Sequence, residues 1–279
     1  MARKFRSALS QYYEYSSAIV TVAPFSMSCW FNADATNTDQ TLICAGSSGG
    51  TYYYALGKNV SGNIYIETAG GASATTSTAF TARKWHHALA TFPAASTGAI
   101  YLNGGGKATF GGGATQSSID NFSVGVLDVG SLFGKFDGMI DRVAIWRGLA
   151  LSDFDAARLA SGEHARRVRP DSLIAYWDFS ENKDVWCEPD LIGKFHLTRF
   201  GGATVMQGQP FVQFPQRGRK PTWFLHVAAA AADNYFVTRV NIPNPRVGPM
   251  ALRNKWKPGY KFGGKVGGNR RRRVITSKS

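Results

Sequence analysis

Carboxylates, imidazoles and a run of tyrosines are the side chains of this chain whose types and spacing could do chemistry. Cleaving a glycosidic bond takes two carboxyl groups flanking it, one as acid and one as nucleophile or base. Within residues 136–152, Phe-Asp-Gly-Met-Ile-Asp-Arg-Val-Ala-Ile-Trp-Arg-Gly-Leu-Ala-Leu-Ser, Asp141 is followed by Arg142, Val143, Ala144 and Ile145, and a second acid on its own strand face is missing. Asp178 and Glu181 form another pair, in a stretch better explained as a strand end. His86 and His87 are adjacent on a strand and point to opposite faces, poor geometry for a shared metal; one packed and one exposed imidazole is the expectation. His164, His196 and His226 are scattered, and no nucleophile sits in the elbow motif that a Ser-His-Asp arrangement uses. The three residues Tyr52, Tyr53 and Tyr54, beside Gly-Ser loops, offer rings on which a sugar could stack, although alternation along a strand is the plainer use for them. A non-enzymatic protein is predicted.

Strands have to carry these groups. Aromatic residues at 13% and 31 glycines, against 18% charged residues, fit many short strands joined by tight turns. Residues 136–152 are the stretch that the others surround. Met139, Val143 and Ile145 fall on one side of an extended chain and Ile140, Ala144 and Trp146 on the other, which predicts a strand covered on both faces. Ser152 predicts a helix cap, with Asp155 as its capping-box partner and Gly162 as the stop. Phe25, Met27, Cys29 and Phe31 alternate with Ser26, Ser28, Trp30 and Asn32, a half-buried strand. Further strands are expected over 11–22, 42–45, 52–56, 63–68, 85–92, 99–103 and 122–126. Asn103-Gly104 is the hairpin turn of this set, and 69–79, made of Ala, Gly, Ser and Thr with one closing Ala, is expected as a flexible loop. The fold class that results is all-β, an antiparallel β-sandwich or jelly roll with one short helix. Cys29, Cys44 and Cys187 are expected as reduced thiols, a Cys29–Cys44 bridge being the lesser alternative.

Charge divides the chain. Residues 1–216 carry 17 basic and 17 acidic residues, whereas residues 217–279 carry 15 basic residues against Asp233 alone, so the net +14 sits in the last 63 residues. Prolines 210, 215, 221, 243, 245, 249 and 258 interrupt any periodicity there. Near the end, Lys255, Trp256, Lys257, Tyr260, Lys261, Phe262, Lys265, Arg270, Arg271, Arg272 and Arg273 mix cations with aromatic rings. Such a segment buries too little apolar surface to fold alone and is expected to order against something else. It could neutralise phosphates and stack bases, or lie across an acidic groove of a partner protein; assembly is the favoured use. The organisation is then a β-sandwich over 1–202, with 172–202 as closing strands, and a Pro/Gly-rich basic C-terminal arm over 203–279. No secretory signal is evident near Met1, and the longest apolar run, Val227 to Ala232, is too short to span a bilayer, so no membrane partner is expected.

Several of these pieces share an order with a known family. Phe25-Ser-Met-Ser-Cys-Trp-Phe, then Trp85-His-His-Ala-Leu-Ala-Thr-Phe, then Ile100-Tyr-Leu-Asn-Gly, then Phe136-Asp-Gly-Met-Ile-Asp-Arg-Val through Leu151-Ser resemble laminin-G-like domains, the concanavalin A-like lectin/glucanase sandwiches, over roughly residues 10–162. Ser172-Leu-Ile-Ala-Tyr-Trp-Asp-Phe-Ser-Glu looks like the stretch that often opens such domains, displaced here to follow the helix; it closes its own domain or a neighbour's, the former being the expectation. The resemblance implies calcium as a possible cofactor. By position Asp39 and Asp128 look like two pentraxin-type ligands, but Val126 and Leu127 stand where further ligands would be. A lectin-like body joined to a basic arm without an export signal leads to a bacteriophage virion structural protein, a capsid decoration or other surface subunit assembled in the host cytoplasm. Its partners would be other capsid subunits, itself as a homo-oligomer, and packaged DNA through the arm. The alternative is a carbohydrate-binding adhesion module attaching a particle or cell to surface glycans.

Overall fold

The computed structural model describes residues 2–179 and 186–206. In chain order the strands are β1 (Ala2–Phe5), β2 (Tyr12–Tyr15), β3 (Phe25–Ala33), β4 (Gln40–Gly46), β5 (Tyr53–Lys58), β6 (Asn63–Thr68), β7 (Ala72–Ala79), β8 (His86–Ala94) and β9 (Thr97–Leu102). They continue with β10 (Gly105–Phe110), β11 (Asn121–Val124), β12 (Leu127–Asp128), β13 (Leu132–Phe133) and β14 (Gly138–Arg147). After helix α1 (Asp153–Ala160) come β15 (Leu173–Trp177), β16 (Cys187–Glu188), β17 (Leu197–Phe200) and β18 (Thr204–Met206). One sheet runs β10-β9-β8-β3-β14-β1-β18 with β15 also on β14; the other runs β16-β17-β2-β11-β4-β5-β6-β7; β12 and β13 form a small hairpin. All pairings are antiparallel. The fold is therefore an antiparallel β-sandwich with one α-helix.

β14 is buried on both faces, but its side chains are dealt out differently from the simple alternation. Asp141 lies opposite Trp30 and Ala144 opposite Ser28, so β14 holds one residue more than β3 across that interval. Arg142, with φ 50, is the extra residue of this bulge. Parity switches there. Ile140, Val143 and Ile145 all enter the core between the sheets, while Ala144 and Trp146 face outward; grouping Ile140 with the latter and Met139 with the former is corrected by the bulge.

What covers the outward side is α1. Ser152 Oγ accepts the Asp155 N–H at 3.3 Å and Asp155 Oδ2 accepts the Ser152 N–H at 3.2 Å, closing the capping box. At the other end Gly162 takes φ 92 and donates to the Leu159 carbonyl. Ala156 and Leu159 then pack with Trp146, Leu151, Val168 and Tyr176 as a second apolar cluster on the outer side of the first sheet. Trp146 Nε1 donates to the Val168 carbonyl at 2.8 Å, which satisfies its one polar atom. The same cover explains why β3 is buried at every residue rather than on one side: Ser26 Oγ accepts the Leu151 N–H, and Trp30 lies against the buried His87 ring at 5.3 Å.

Two further expectations are revised. Residues 72–79 form β7 instead of a loop, because β-branched threonines and the open edge of β6 supply what large apolar residues would have. The stretch 11–22 holds only the four residues of β2, and β1 precedes it. Asn103 and Gly104 do form the β9–β10 turn, with φ 53 and 75, and a Cβ on Gly104 would come within 2.9 Å of Ala157 in α1. After the helix, β15 pairs with β14 of the same chain, and β16 and β17 extend the other sheet beside β2. Arg3 and Glu188, 0% and 1% exposed, meet at 2.9 Å and tie β1 of one sheet to β16 of the other. Cys29 and Cys44 are buried free thiols and Cys187 an exposed one. Residues 207–279 lie outside the described residues, as do all the arm positions named above.

Since the outer cluster is built around Trp146, Trp146→Ala is expected to cost about 3–5 kcal/mol. Urea unfolding checks it; a loss below about 1 kcal/mol would mean the helix is seated by its loops.

Candidate functional site

The outer faces of the two sheets differ in kind. The first is roofed by α1 and its apolar cluster. In the second, β6 alternates cleanly: Ile64, Ile66 and Thr68 are buried while Asn63, Tyr65 and Glu67 remain half-exposed on the other side. Register continues this outer side across seven strands, Thr198 opposite Glu14, Glu14 opposite Ser123, Ser123 opposite Cys44, Cys44 opposite Ala55, Ala55 opposite Glu67, and Glu67 opposite Ser73. Small residues occupy its middle, and larger polar and aromatic ones stand at either side.

On one side Tyr12 stacks on Phe200, with ring centroids 4.6 Å apart and planes 5° from parallel. Glu14 and Asp128 belong to this patch. Burial raises the Glu14 carboxyl above its usual range, and the charge of Asp128 raises it further. Asp128 is itself raised by burial, against the Gly130 N–H that it accepts at 3.3 Å. The other side holds Tyr53, Tyr65 and Glu67. Tyr65 lies across Gly57, where a Cβ would come within 2.5 Å of its ring, so only glycine lets the phenol lie flat on the sheet. Tyr53 hydrogen-bonds Glu67, and burial, followed by that carboxylate, pushes its phenol up to about 12. Burial raises Glu67 too, partly offset by the bond from Tyr53. Among the described residues, no lysine or arginine figures among the groups acting on Glu14, Glu67 or Asp128.

Chemically this face offers tyrosine rings for packing against C–H surfaces and carboxylates that accept hydroxyl hydrogens. Glu14 and Glu67 are four strand spacings apart, roughly 19 Å, well beyond the separation at which two carboxyl groups flank one glycosidic bond.

The sequence-predicted residues fall in several places. Of the three tyrosines, Tyr53 lies on this face and Tyr52 is half-buried at the core margin. Tyr54 is withdrawn from it: fully buried, it packs edge-on against Phe25 and Phe92 at 4.9 and 4.8 Å and cannot stack on a sugar. Asp39 and Asp128 are not brought together. Asp39 precedes β4 and accepts the Val60 N–H, whereas the Asp128 carbonyl lies over Gly46 at the strand's far end, roughly 20 Å away along the strand. Among the described residues no group of three or more His, Cys, Asp or Glu could hold a metal ion. Asp141 is 1% exposed within the first sheet; Asp178 is half-buried, and Glu181 lies outside the described residues. His87 is buried, and burial holds its imidazole down at about 3, so it is neutral; His86 is half-buried between Thr81 and Asn103 rather than fully exposed. Tyr12, Glu14, Tyr65, Glu67 and Phe200 were not apparent in the sequence, because only the strand order places residues 12, 65 and 200 on one surface.

The sequence model of a family described as the concanavalin A-like lectin/glucanases superfamily matches residues 7–155. No curated protein matches the chain. Among solved structures, a candidate carbohydrate binding protein from Bacteroides ovatus ATCC 8483 is similar with a TM-score of 0.52 at 17% identity, over 76% of this chain and 61% of its own. The chain thus spans 61% of the length of that relative. A heptameric SAP-like pentraxin from Limulus polyphemus gives 0.46 at 13% identity, over 58% of this chain and 79% of its own. The CBM40 of the Ruminococcus gnavus IT-sialidase, bound to α2,3-sialyllactose, gives 0.45 at 15%, over 50% and 84%. At these identities the likeness concerns the fold.

The raised carboxyl of Glu14 carries a sign. A carboxyl whose folded pKa exceeds its unfolded one adds stability at low pH, and that stability is lost as pH rises through the folded value. Glu14→Gln is therefore expected to raise the melting temperature modestly at pH 7 and to leave it unchanged near pH 4. Thermal melts at both pH values test this; a drop at pH 7 would show that the ionised carboxylate is stabilised by its surroundings.

Proposed function

Because the chain belongs to the concanavalin A-like lectin/glucanase superfamily, we propose that it is a non-catalytic carbohydrate-binding module whose ligand lies on the outer face of the second sheet. The observation that carries this is the group Tyr53, Tyr65 and Glu67 beside Gly57: a ring laid flat on the sheet next to a hydroxyl-accepting carboxylate. A pyranose presents C–H groups on one side and hydroxyls around its rim, which match those two features. The charge of the face narrows the ligand. Glu14, Glu67 and Asp128 are already raised by burial, and a uronate or sialate would add a like charge beside them. A neutral glycan is the ligand that fits. Binding of neutral oligosaccharides on a glycan array, weakened at least ten-fold by Tyr53→Ala and by Glu67→Gln, is the expected outcome. Array signal confined to acidic sugars, or none above background, overturns it.

The charge partition favours a second reading, in which the same domain belongs to a virion subunit and the basic segment 217–279 holds it to neighbouring subunits or to packaged DNA. The support is the +14 concentrated after residue 216. Truncation after residue 216 is expected to abolish incorporation into particles; full occupancy of the truncated protein would remove the arm as the anchor.

A further inference from the structure

The first sheet's outer face is not roofed throughout. Beyond the start of α1 it opens into a groove of about 590 Å³ between β8, β9 and β10 and the segment 150–154. That volume lies within the range of small-ligand sites.

One end of the groove is fixed by a triad. Asp153 Oδ1 accepts both the Tyr101 hydroxyl, at 2.6 Å, and the Lys107 ammonium, at 2.7 Å. Tyr101 is 3% exposed, so the fold sets its ring in place, and the Lys107 ammonium lies 5.3 Å from the centre of that ring. The pair of charges cancels, leaving this end polar without net charge. Along the walls stand Thr91, Thr97 and Thr109, which bring hydroxyl groups to a lining otherwise largely of small and apolar residues. Phe154 forms the outer rim and is 70% exposed, although α1 has a buried side on which an apolar ring would ordinarily go.

We propose that this groove is a second saccharide subsite, taking a neutral oligosaccharide strand with Phe154 as its stacking ring and the three threonines and Asp153 as its hydroxyl partners. The chemistry selects that class. Threonine hydroxyls along a largely apolar channel suit a ligand that carries donors and acceptors around an apolar face better than a purely aliphatic one. An internally neutralised ion pair gives no reason for a charged ligand. The inference rests on the carbohydrate-binding reading above, but it uses the opposite sheet and shares no residue with that face. Two subsites on opposite faces would let one copy bridge two glycan chains and gain avidity.

The test titrates the full chain by calorimetry with tetra- to hexasaccharides of glucose, mannose, galactose and arabinose. Wild-type protein is expected to bind two ligands per chain, or one ligand class at each site. Phe154→Ala and, separately, Thr109→Trp, which fills the groove from an exposed position, should each weaken the groove event at least ten-fold and spare the other. Tyr53→Ala should do the reverse. A single event lost with Tyr53→Ala and unmoved by both groove variants overturns the groove and leaves the second-sheet reading standing. A single event lost with the groove variants and unmoved by Tyr53→Ala supports the groove and overturns the second-sheet placement. Absence of any binding overturns both.

Discussion

The bulge at Arg142 is the constraint on which the rest of this structure depends. A strand buried on both faces must supply two apolar rows, and strict alternation would send Ile140 outward with Trp146. One extra residue in β14 redirects Ile140 into the core with Val143 and Ile145, while Ala144 and Trp146 remain to receive the helix. The backbone accepts a left-handed arginine there, a conformation that costs energy outside glycine. Five consecutive strands of the first sheet, from β9 to β1, are ordered around this one. Without the shift in parity Ile140 would share a face with Trp146, so either the core would lose the isoleucine or the helix would lose its tryptophan.

From that arrangement follows the unequal treatment of the two outer faces. The side that carries α1 is mostly closed, with Ser26 tied to the loop before the helix and Trp30 set against a neutral His87. The side without a helix keeps its tyrosines and carboxylates half in water, and three of those carboxyls are held above their usual range by burial. Among the described residues, no lysine or arginine acts on these carboxyls to offset their burial. Carboxyls raised by burial beside the Tyr65 phenol mark this face, rather than the roofed one, as the candidate functional surface.

Much of the fold was legible in the sequence because its signals were local. Ser152, Asp155 and Gly162 specify a helix within eleven residues, and Asn103-Gly104 specifies a turn within two. β7 was not legible, since Ala, Ser and Thr look the same in a loop and in a strand whose hydrogen bonds a neighbour supplies. Burial of both faces of β3 was hidden for a related reason, because the cover over Ser26 comes from residues 149 and 151. The candidate site was legible only in part. Tyr53 was visible as one of three tyrosines in a row, but which of them faces outward depends on register, and Tyr54 turned inward. Glu14, Glu67 and Phe200 share one face only through a strand order that jumps from β17 to β2 to β11 to β4, and no spacing along the chain announces that.

Arg3 and Glu188 hold another consequence. β1 lies between β14 and β18, with Arg3 opposite Ile140 on one side and Val205 on the other, and its guanidinium reaches a carboxylate 185 positions further on. β1 precedes both strands that it pairs with, the nearer of them β14 at Gly138–Arg147, so its backbone edges stay open until those strands follow. The first strand of the sandwich is thus completed from both sides only by strands late in its order, β14 and β18, and folding of the sheet closes around it rather than growing from it.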